Sequence, residues 1–189
     1  NALALQLPLE ATKEIEPSRQ QLRDLLNCYQ NGQYDTAEQL ALSMTENFPN
    51  HVFGWKVLGA VLNETDRKSE ALVANKKVVE VAPQDVEGHS NLGANLQELE
   101  YLEEAEATLR QAITLNSEFA EAWNNLGLTL YHLKRPEEAE IALQKSIRFK
   151  PTLANGHNNL GKTCRELGKL QEAKTNYMQA IVLKPDYAE

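Results

Sequence analysis

Cysteine is nearly absent from this 189-residue chain, which holds only Cys28 and Cys164. Two cysteines provide no disulfide framework, and no Cys-x-x-Cys pair stands anywhere as a metal knuckle or redox motif. Apolar runs are short: none approaches the roughly 20 residues that a bilayer span needs. The stretch Leu-Ala-Leu-Gln-Leu-Pro-Leu at 3–9 has no basic region before it and is too short for a leader. Basic charge is also lacking, with 19 Lys and Arg against 27 Asp and Glu and a net charge of −8. A nucleic-acid backbone, which calls for a basic face, is therefore not the expected partner. Glycine forms no phosphate-binding loop. His89, His132 and His157 have no nucleophile at a plausible spacing, so no enzyme, cofactor or metal is expected.

What the chain does have is a period of 34 residues. Asn-Asn-Leu-Gly at 124–127 returns at 158–161, and it is preceded by Ser-Asn-Leu-Gly at 90–93 and Lys-Val-Leu-Gly at 56–59. Twelve residues after each of Gly59, Gly93, Gly127 and Gly161 stands an alanine, Ala71, Ala105, Ala139 and Ala173. Such small pairs predict two helices crossing closely. Val-Ala-Pro at 81–83, Phe-Lys-Pro at 149–151 and Leu-Lys-Pro at 183–185 close the units, with Leu-Asn-Ser at 115–117 as a variant. Proline ends a helix by removing a donor and clashing with the preceding turn. A fixed period is an architectural signal: each unit buries its apolar surface against its neighbours, and the core becomes a ribbon. Cys28 and Cys164 fall at equivalent places four units apart, so both read as packing residues, and their free thiols fit a reducing, cytoplasmic setting.

Five units start at Ser18, Val52, Val86, Ala120 and Ala154. In the fourth, Trp123, Leu126, Gly127 and Leu130 make an i, i+3, i+4, i+7 stripe, which is one apolar helix face. A turn at Lys134-Arg135-Pro136 leads into a second helix, whose first turn holds Glu137 and Glu138 near the positive end of its dipole. Its packing residues are Ala139, Leu143 and Ile147. The periodicity predicts helix pairs at 19–31/35–48, 53–65/69–82, 87–99/103–116, 121–133/137–150 and 155–167/171–184.

Trp-x2-Leu-Gly, then Ala, then a closing Pro over 34 residues resembles the tetratricopeptide repeat. The resemblance implies an all-α, right-handed superhelical solenoid of antiparallel helix pairs over 18–187, in repeats 18–51, 52–85, 86–119, 120–153 and 154–187, with first helices lining a concave groove. It also implies a scaffold for protein–protein interaction that takes an extended peptide or a partner's helix. The alternative is the substrate-selecting arm of a larger enzyme, such as a glycosyltransferase or sulfotransferase, with its catalytic domain beyond residue 189. The fourth position of the units alternates Trp55, His89, Trp123, His157. The histidines stand two units apart with no third ligand nearby, so they read as packing residues rather than metal ligands.

Helical periodicity turns positions 2, 5, 6, 9, 12 and 13 of each first helix toward the groove. Position 6 supplies Asn91, Asn125 and Asn159, a row of amides that can pair with a peptide backbone or simply be solvated. The row is similar to the asparagine ladder of O-linked N-acetylglucosamine transferases. Lys56, Asn63, Asn124, Tyr131, Asn158, Lys162 and Arg165 complete the candidate site, and Phe53 makes the N-terminal end greasier. The carboxylate clamp of chaperone-associated family members is disfavoured, because Lys56 faces Ala60 and the later units carry Glu87, Asn91, Glu121 and Asn125 where that clamp needs cations.

The ends depart from the pattern. The first unit's apolar stripe, Leu22, Leu25, Leu26 and Tyr29, is rotated by one residue, which means either a shorter turn or a capping helix with another contact face. Residues 1–17 have no repeat register and read as a tail or linker. Tyr187-Ala188-Glu189 repeats the phase of Phe119-Ala120-Glu121, so 188–189 are expected to start a truncated sixth repeat of something longer. Without that repeat, the face bearing Ala173, Tyr177, Ala180 and Ile181 is expected to be uncovered. Tyr177 and Ile181 would then self-associate with a second copy or take up a neighbour's residues 3–7, with Phe53 as another docking place for that tail.

Overall fold

The computed structural model describes residues 16–185. Among them run ten helices: α1 (Arg19–Gln30), α2 (Tyr34–Asn47), α3 (Val52–Glu64), α4 (Lys68–Val81), α5 (Val86–Glu98), α6 (Leu102–Leu115), α7 (Ala120–His132), α8 (Pro136–Phe149), α9 (Ala154–Glu166) and α10 (Leu170–Leu183). All five expected pairs are present. All but α1 begin and end one residue earlier than periodicity predicts, because the residue before the apolar stripe already has helical backbone; α1 ends early as well. Residues 1–15 and 186–189, which include most of the expected tail and the sixth-repeat start, lie outside the described residues.

Each pair is joined by the same turn. Gly32, Asp66, Glu100, Lys134 and Gly168, the fifteenth residue of each unit, have φ of 70°, 58°, 64°, 61° and 74°. The next residue's amide reaches back five residues to the first helix, as from Arg67 to the Leu62 carbonyl at 2.8 Å and from Arg135 to Leu130 at 3.0 Å. The left-handed residue itself donates to the carbonyl three back, as from Lys134 to Tyr131 at 3.0 Å. These two bonds make a Schellman motif, which satisfies the last carbonyls of the first helix and reverses the chain.

The first unit uses this same turn, so its rotated stripe does not come from a shorter connection. Helix α1 instead starts one residue late, where Ser18 and Gln21 form a reciprocal capping box. Leu25, at the place of the glycines in later units, is its buried anchor, while Leu26 stays exposed.

Within units the crossings depend on glycine. A Cβ on Gly93 or Gly127 would stand 2.5 Å from the Cγ of Leu109 or Leu143, and one on Gly161 would stand 2.8 Å from the Tyr177 ring. The glycine therefore meets the residue sixteen further on, and the alanine predicted as its partner contributes backbone: the Ala139 carbonyl oxygen would be 3.2 Å from a Cβ on Gly127. Between units, Gly88 fits against Val78 in the same way, at 2.5 Å. Apolar contacts gather in four clusters strung along the chain, from Leu25, Ala41 and Leu58 to Leu143, Leu160 and Cys164. This is the ribbon core of a solenoid.

Candidate peptide-binding groove

First helices touch one another across units, α1 with α3, α5 with α7 and α7 with α9, whereas no two second helices make contact of that extent among the described residues. Curvature of that sense puts α3, α5, α7 and α9 on the inner wall of the stack. Three kinds of tie hold the stack of units in register.

The first is a chain of amides. Asn125 Nδ2 donates to Ser90 Oγ at 3.4 Å, Asn124 Nδ2 to Asn125 Oδ1 at 3.1 Å, and Asn159 Nδ2 to Asn124 Oδ1 at 3.0 Å, linking α5, α7 and α9. Asn124 and Asn159 are both buried. Asn91 differs: it is exposed, and no hydrogen bond joins it to another described residue. A second chain runs beside it, from Asn75 Nδ2 to Asn95 Oδ1 and from Asn95 Nδ2 to Asn63 Oδ1, both at 3.4 Å. Asn95 also donates to the Lys68 carbonyl at 3.2 Å.

The second tie explains the alternation of tryptophan and histidine. Trp55 Nε1 donates to the Pro49 carbonyl at 2.8 Å and Trp123 Nε1 to the Ser117 carbonyl at 2.8 Å. His89 Nε2 meets the Pro83 carbonyl at 3.0 Å and His157 Nε2 the Pro151 carbonyl at 2.9 Å. A carbonyl only accepts, so Nε2 is the donor in each of these bonds; Nδ1 of His157 also lies 3.3 Å from Asn176 Oδ1. An indole and an imidazole thus do one job, clamping the loop between units.

The third tie is ionic and was not read from the sequence. Arg67 pairs with Glu38 at 2.6 Å, Arg135 with Glu106 at 2.7 Å and Lys169 with Glu140 at 2.6 Å, each joining the turn of one unit to the second helix of the unit before. All three are 29 residues apart, a spacing that could have been found by comparing units. At the remaining junction the same places hold Tyr101 and Leu72.

Lys56 is bound on the wall by Asp85 at 2.7 Å and Glu87 at 2.8 Å. Burial works to lower its pKa, but the two carboxylates outweigh it and the net shift is upward. Asp85 also caps α5 through the Gly88 amide at 2.8 Å. Tyr131 is half-buried, its ring edge-on to His132 with centroids 5.7 Å apart. Asn158 is half-buried, and Lys162 and Arg165 are exposed on α9. Between α3 and α5 opens a cavity of about 500 Å3, lined by Asn63, Glu64, Asp66, Lys68, Asn91, Ala94, Asn95 and Glu98. Three carboxylates face one ammonium there. The wall is therefore acidic near its second and third units and basic at its fifth.

One group has the composition of a metal site, because the ligand atoms of Glu140, Cys164 and Glu172 lie within 4.8 Å of one another. Lys169 Nζ already holds both Glu140 oxygens, at 2.6 and 2.7 Å. Burial, with the charges of Glu140 and Glu172, pushes the Cys164 thiol up, which keeps it a protonated packing residue. Both cysteines are free.

Family models for the tetratricopeptide repeat match residues 91–154 and 154–187. The chain belongs to the tetratricopeptide repeat family. Its fold is shared with MamA (23% identical, 86% of this chain and 95% of that one covered, TM-score 0.71). It is shared equally with TTC0263, a thermophilic tetratricopeptide repeat protein of Thermus thermophilus (23%, 89% and 96%, TM-score 0.73). YrrB, described as a tetratricopeptide repeat protein with an unusual peptide-binding site, is 20% identical, with 94% of this chain and 90% of that one covered and a TM-score of 0.69. No curated protein matches the sequence significantly. The tetratricopeptide repeats here form an all-α solenoid of the kind that serves as a protein-interaction scaffold, and no described helix is long and apolar enough to cross a membrane.

Proposed function

We propose that the inner wall binds an extended peptide, with a cationic side chain seated in the cavity between α3 and α5. The observation that carries this reading is the cavity's lining: Asn91 offers a free amide, and Glu64, Asp66 and Glu98 outnumber Lys68. An amide that donates and accepts pairs with backbone whatever the sequence, while the excess of carboxylate selects charge. Lys162 and Arg165 give the far end the opposite preference, and Asn125, Asn158, Tyr131 and Asn63 line the path between. Asn124, Asn159 and Lys56 serve mainly to hold the wall. YrrB's description as peptide-binding supports the same use of the fold. The module acts as a non-catalytic cytoplasmic scaffold whose partners are proteins or peptides rather than nucleic acids.

The test is fluorescence anisotropy with labelled extended peptides that carry Lys or Glu at one site. Tighter binding of the lysine peptide, weakened several-fold by Asn91→Ala with helicity unchanged, is expected. Equal affinity for both peptides in the parent and in the variant would remove the groove from consideration.

We also infer self-association through α10. Ala173 and Ala180 prove to be covered within their own unit and Tyr177 is half-buried against Gly161, so the open face consists of Leu170, Met178, Ile181 and Val182. Light scattering should find a dimer that Ile181→Lys dissociates; a monomer at high concentration would overturn this.

A further inference from the structure

The outer side of the solenoid holds a second cavity, of about 410 Å3, between α2 and α4. Leu58 and Leu62 of α3 form its floor, Leu42 and Val73 its walls and Trp55 one end, while the ion pairs of Arg67 with Glu38 and Glu70 close the other. Leu42 and Val73 are 42% and 62% exposed. The equivalent place two units on is partly covered by charge, although Ile141, which matches Val73, is 55% exposed there. There, Lys145 Nζ lies 4.2 Å from the Trp123 ring centroid, and Arg110, held by Glu106 at 2.7 Å, stands where Leu42 stands. Over Trp55 the matching lysine, Lys77, is drawn off to Glu80 at 2.7 Å. The repeat thus has a way to cover the tryptophan end of this site, and the first two units leave that end open.

We propose that the chain's own residues 3–9 cap it. Leucine stands at 3, 5, 7 and 9, so an extended segment turns all four to one side. The chain enters the described region beside the cavity: the Glu16 carboxylate lies 3.4 Å from His51 Nε2, and His51 stands just before the first residue of α3, one turn ahead of Trp55. His51 Nδ1 is buried without a hydrogen-bond partner among the described residues, a polar atom that backbone arriving there satisfies. The six residues 10–15 span up to about 20 Å when extended, at roughly 3.3 Å each. The helix from His51 to Leu62 is only about 16 Å long at 1.5 Å per residue. The segment can therefore reach the whole cavity from its own anchor. This inference is separate from the groove reading, since it concerns the opposite face.

The test uses the full chain with Trp123→Phe, which leaves Trp55 as the single tryptophan, and reads its emission maximum and its quenching by acrylamide. Leu5→Asp with Leu7→Asp changes only the tail, and Val73→Glu changes an exposed wall residue, so neither threatens the fold. Each is expected to shift Trp55 emission to longer wavelength and raise quenching several-fold, the two together adding nothing further, with no dependence on protein concentration. Unchanged quenching in the tail variant overturns the proposal. A response to the tail variant but not to Val73→Glu places the segment elsewhere, for instance at Phe53, and also overturns it. Protection that grows with concentration assigns the cavity to a second copy's tail and overturns docking within one chain.

Discussion

Gly127 and Leu143 meet so closely where α7 crosses α8 that a methyl group on the glycine would lie 2.5 Å from the leucine Cγ. Where α1 crosses α2 the sizes are exchanged: Leu25 takes the glycine's place and Ala41 the leucine's, both with no exposed surface. The repeat tolerates either arrangement provided that one partner is small. Gly127→Leu alone is therefore expected to destabilise by about 1–3 kcal/mol or more, through overpacking. Leu143→Ala alone is expected to cost about 2–5 kcal/mol, through a cavity. The double variant, which copies the first unit, should recover much of the loss. Thermal and denaturant unfolding of all four proteins gives the coupling energy. Additive losses would mean that the two residues do not share one space.

The left-handed turn residue offers a gain. Glu100 is exposed at φ 64° and its side chain has no part in the turn, whose bonds come from backbone. A left-handed residue with a Cβ costs about 1–2 kcal/mol, and glycine costs about 0.5–1 kcal/mol in unfolded-chain entropy. Glu100→Gly should thus raise the melting temperature, since it places at this turn the residue that Gly32 and Gly168 supply in the first and fifth units. Circular dichroism melts check this, and a lower temperature would count against strain at Glu100.

The ring N–H at the fourth position makes a different prediction. His157→Trp should retain most of the stability, because Trp55 and Trp123 make the same bond to the loop carbonyl, and it gives up only the longer contact of Nδ1 with Asn176 at 3.3 Å. His157→Phe should lose roughly 0.5–1.5 kcal/mol, the usual net worth of a hydrogen bond. Equal unfolding free energies for the two variants would show that ring packing alone matters there.

The helices, their pairing and the inner wall were legible in the sequence because apolar stripes and small residues recur within one unit. Contacts between units were less so, since they depend on which residues fall 29 or 35 places apart. Asn91, Asn125 and Asn159 are the same letter at the same place, yet their surroundings differ. Asn125 has Ser90 beside it and Asn159 has Asn124, but the residue 35 before Asn91 is Lys56, which Asp85 and Glu87 hold. A donor-only side chain already occupied leaves Asn91 free. Likewise Arg67 and Glu38 stood in the sequence as separate surface charges until the stacking of units brought them together. At α10 the stripe reading chose Ala173 and Ala180, whereas their small size lets α9 approach and cover them.

The pairing of Arg135 with Glu106 makes the solenoid sensitive to acid in a defined window. The Glu106 side chain is only 17% exposed and accepts from Arg110 at 2.7 Å and from Arg135 at 2.7 Å. Burial alone pushes its pKa up, but the two guanidiniums more than offset this and hold the carboxyl below the usual range. A carboxylate with a depressed folded-state pKa contributes stability that is present above its unfolded value, about 4.3, and is lost as pH falls through the folded value. Glu106→Gln should therefore be less stable than the parent near neutral pH, and the gap should close as pH drops below about 4.3. Because the pair is partly screened from solvent, raising the salt concentration should narrow the gap only slightly. Urea unfolding across this pH range measures it, and a gap that stayed constant with pH would show that Glu106 contributes by packing and not by charge.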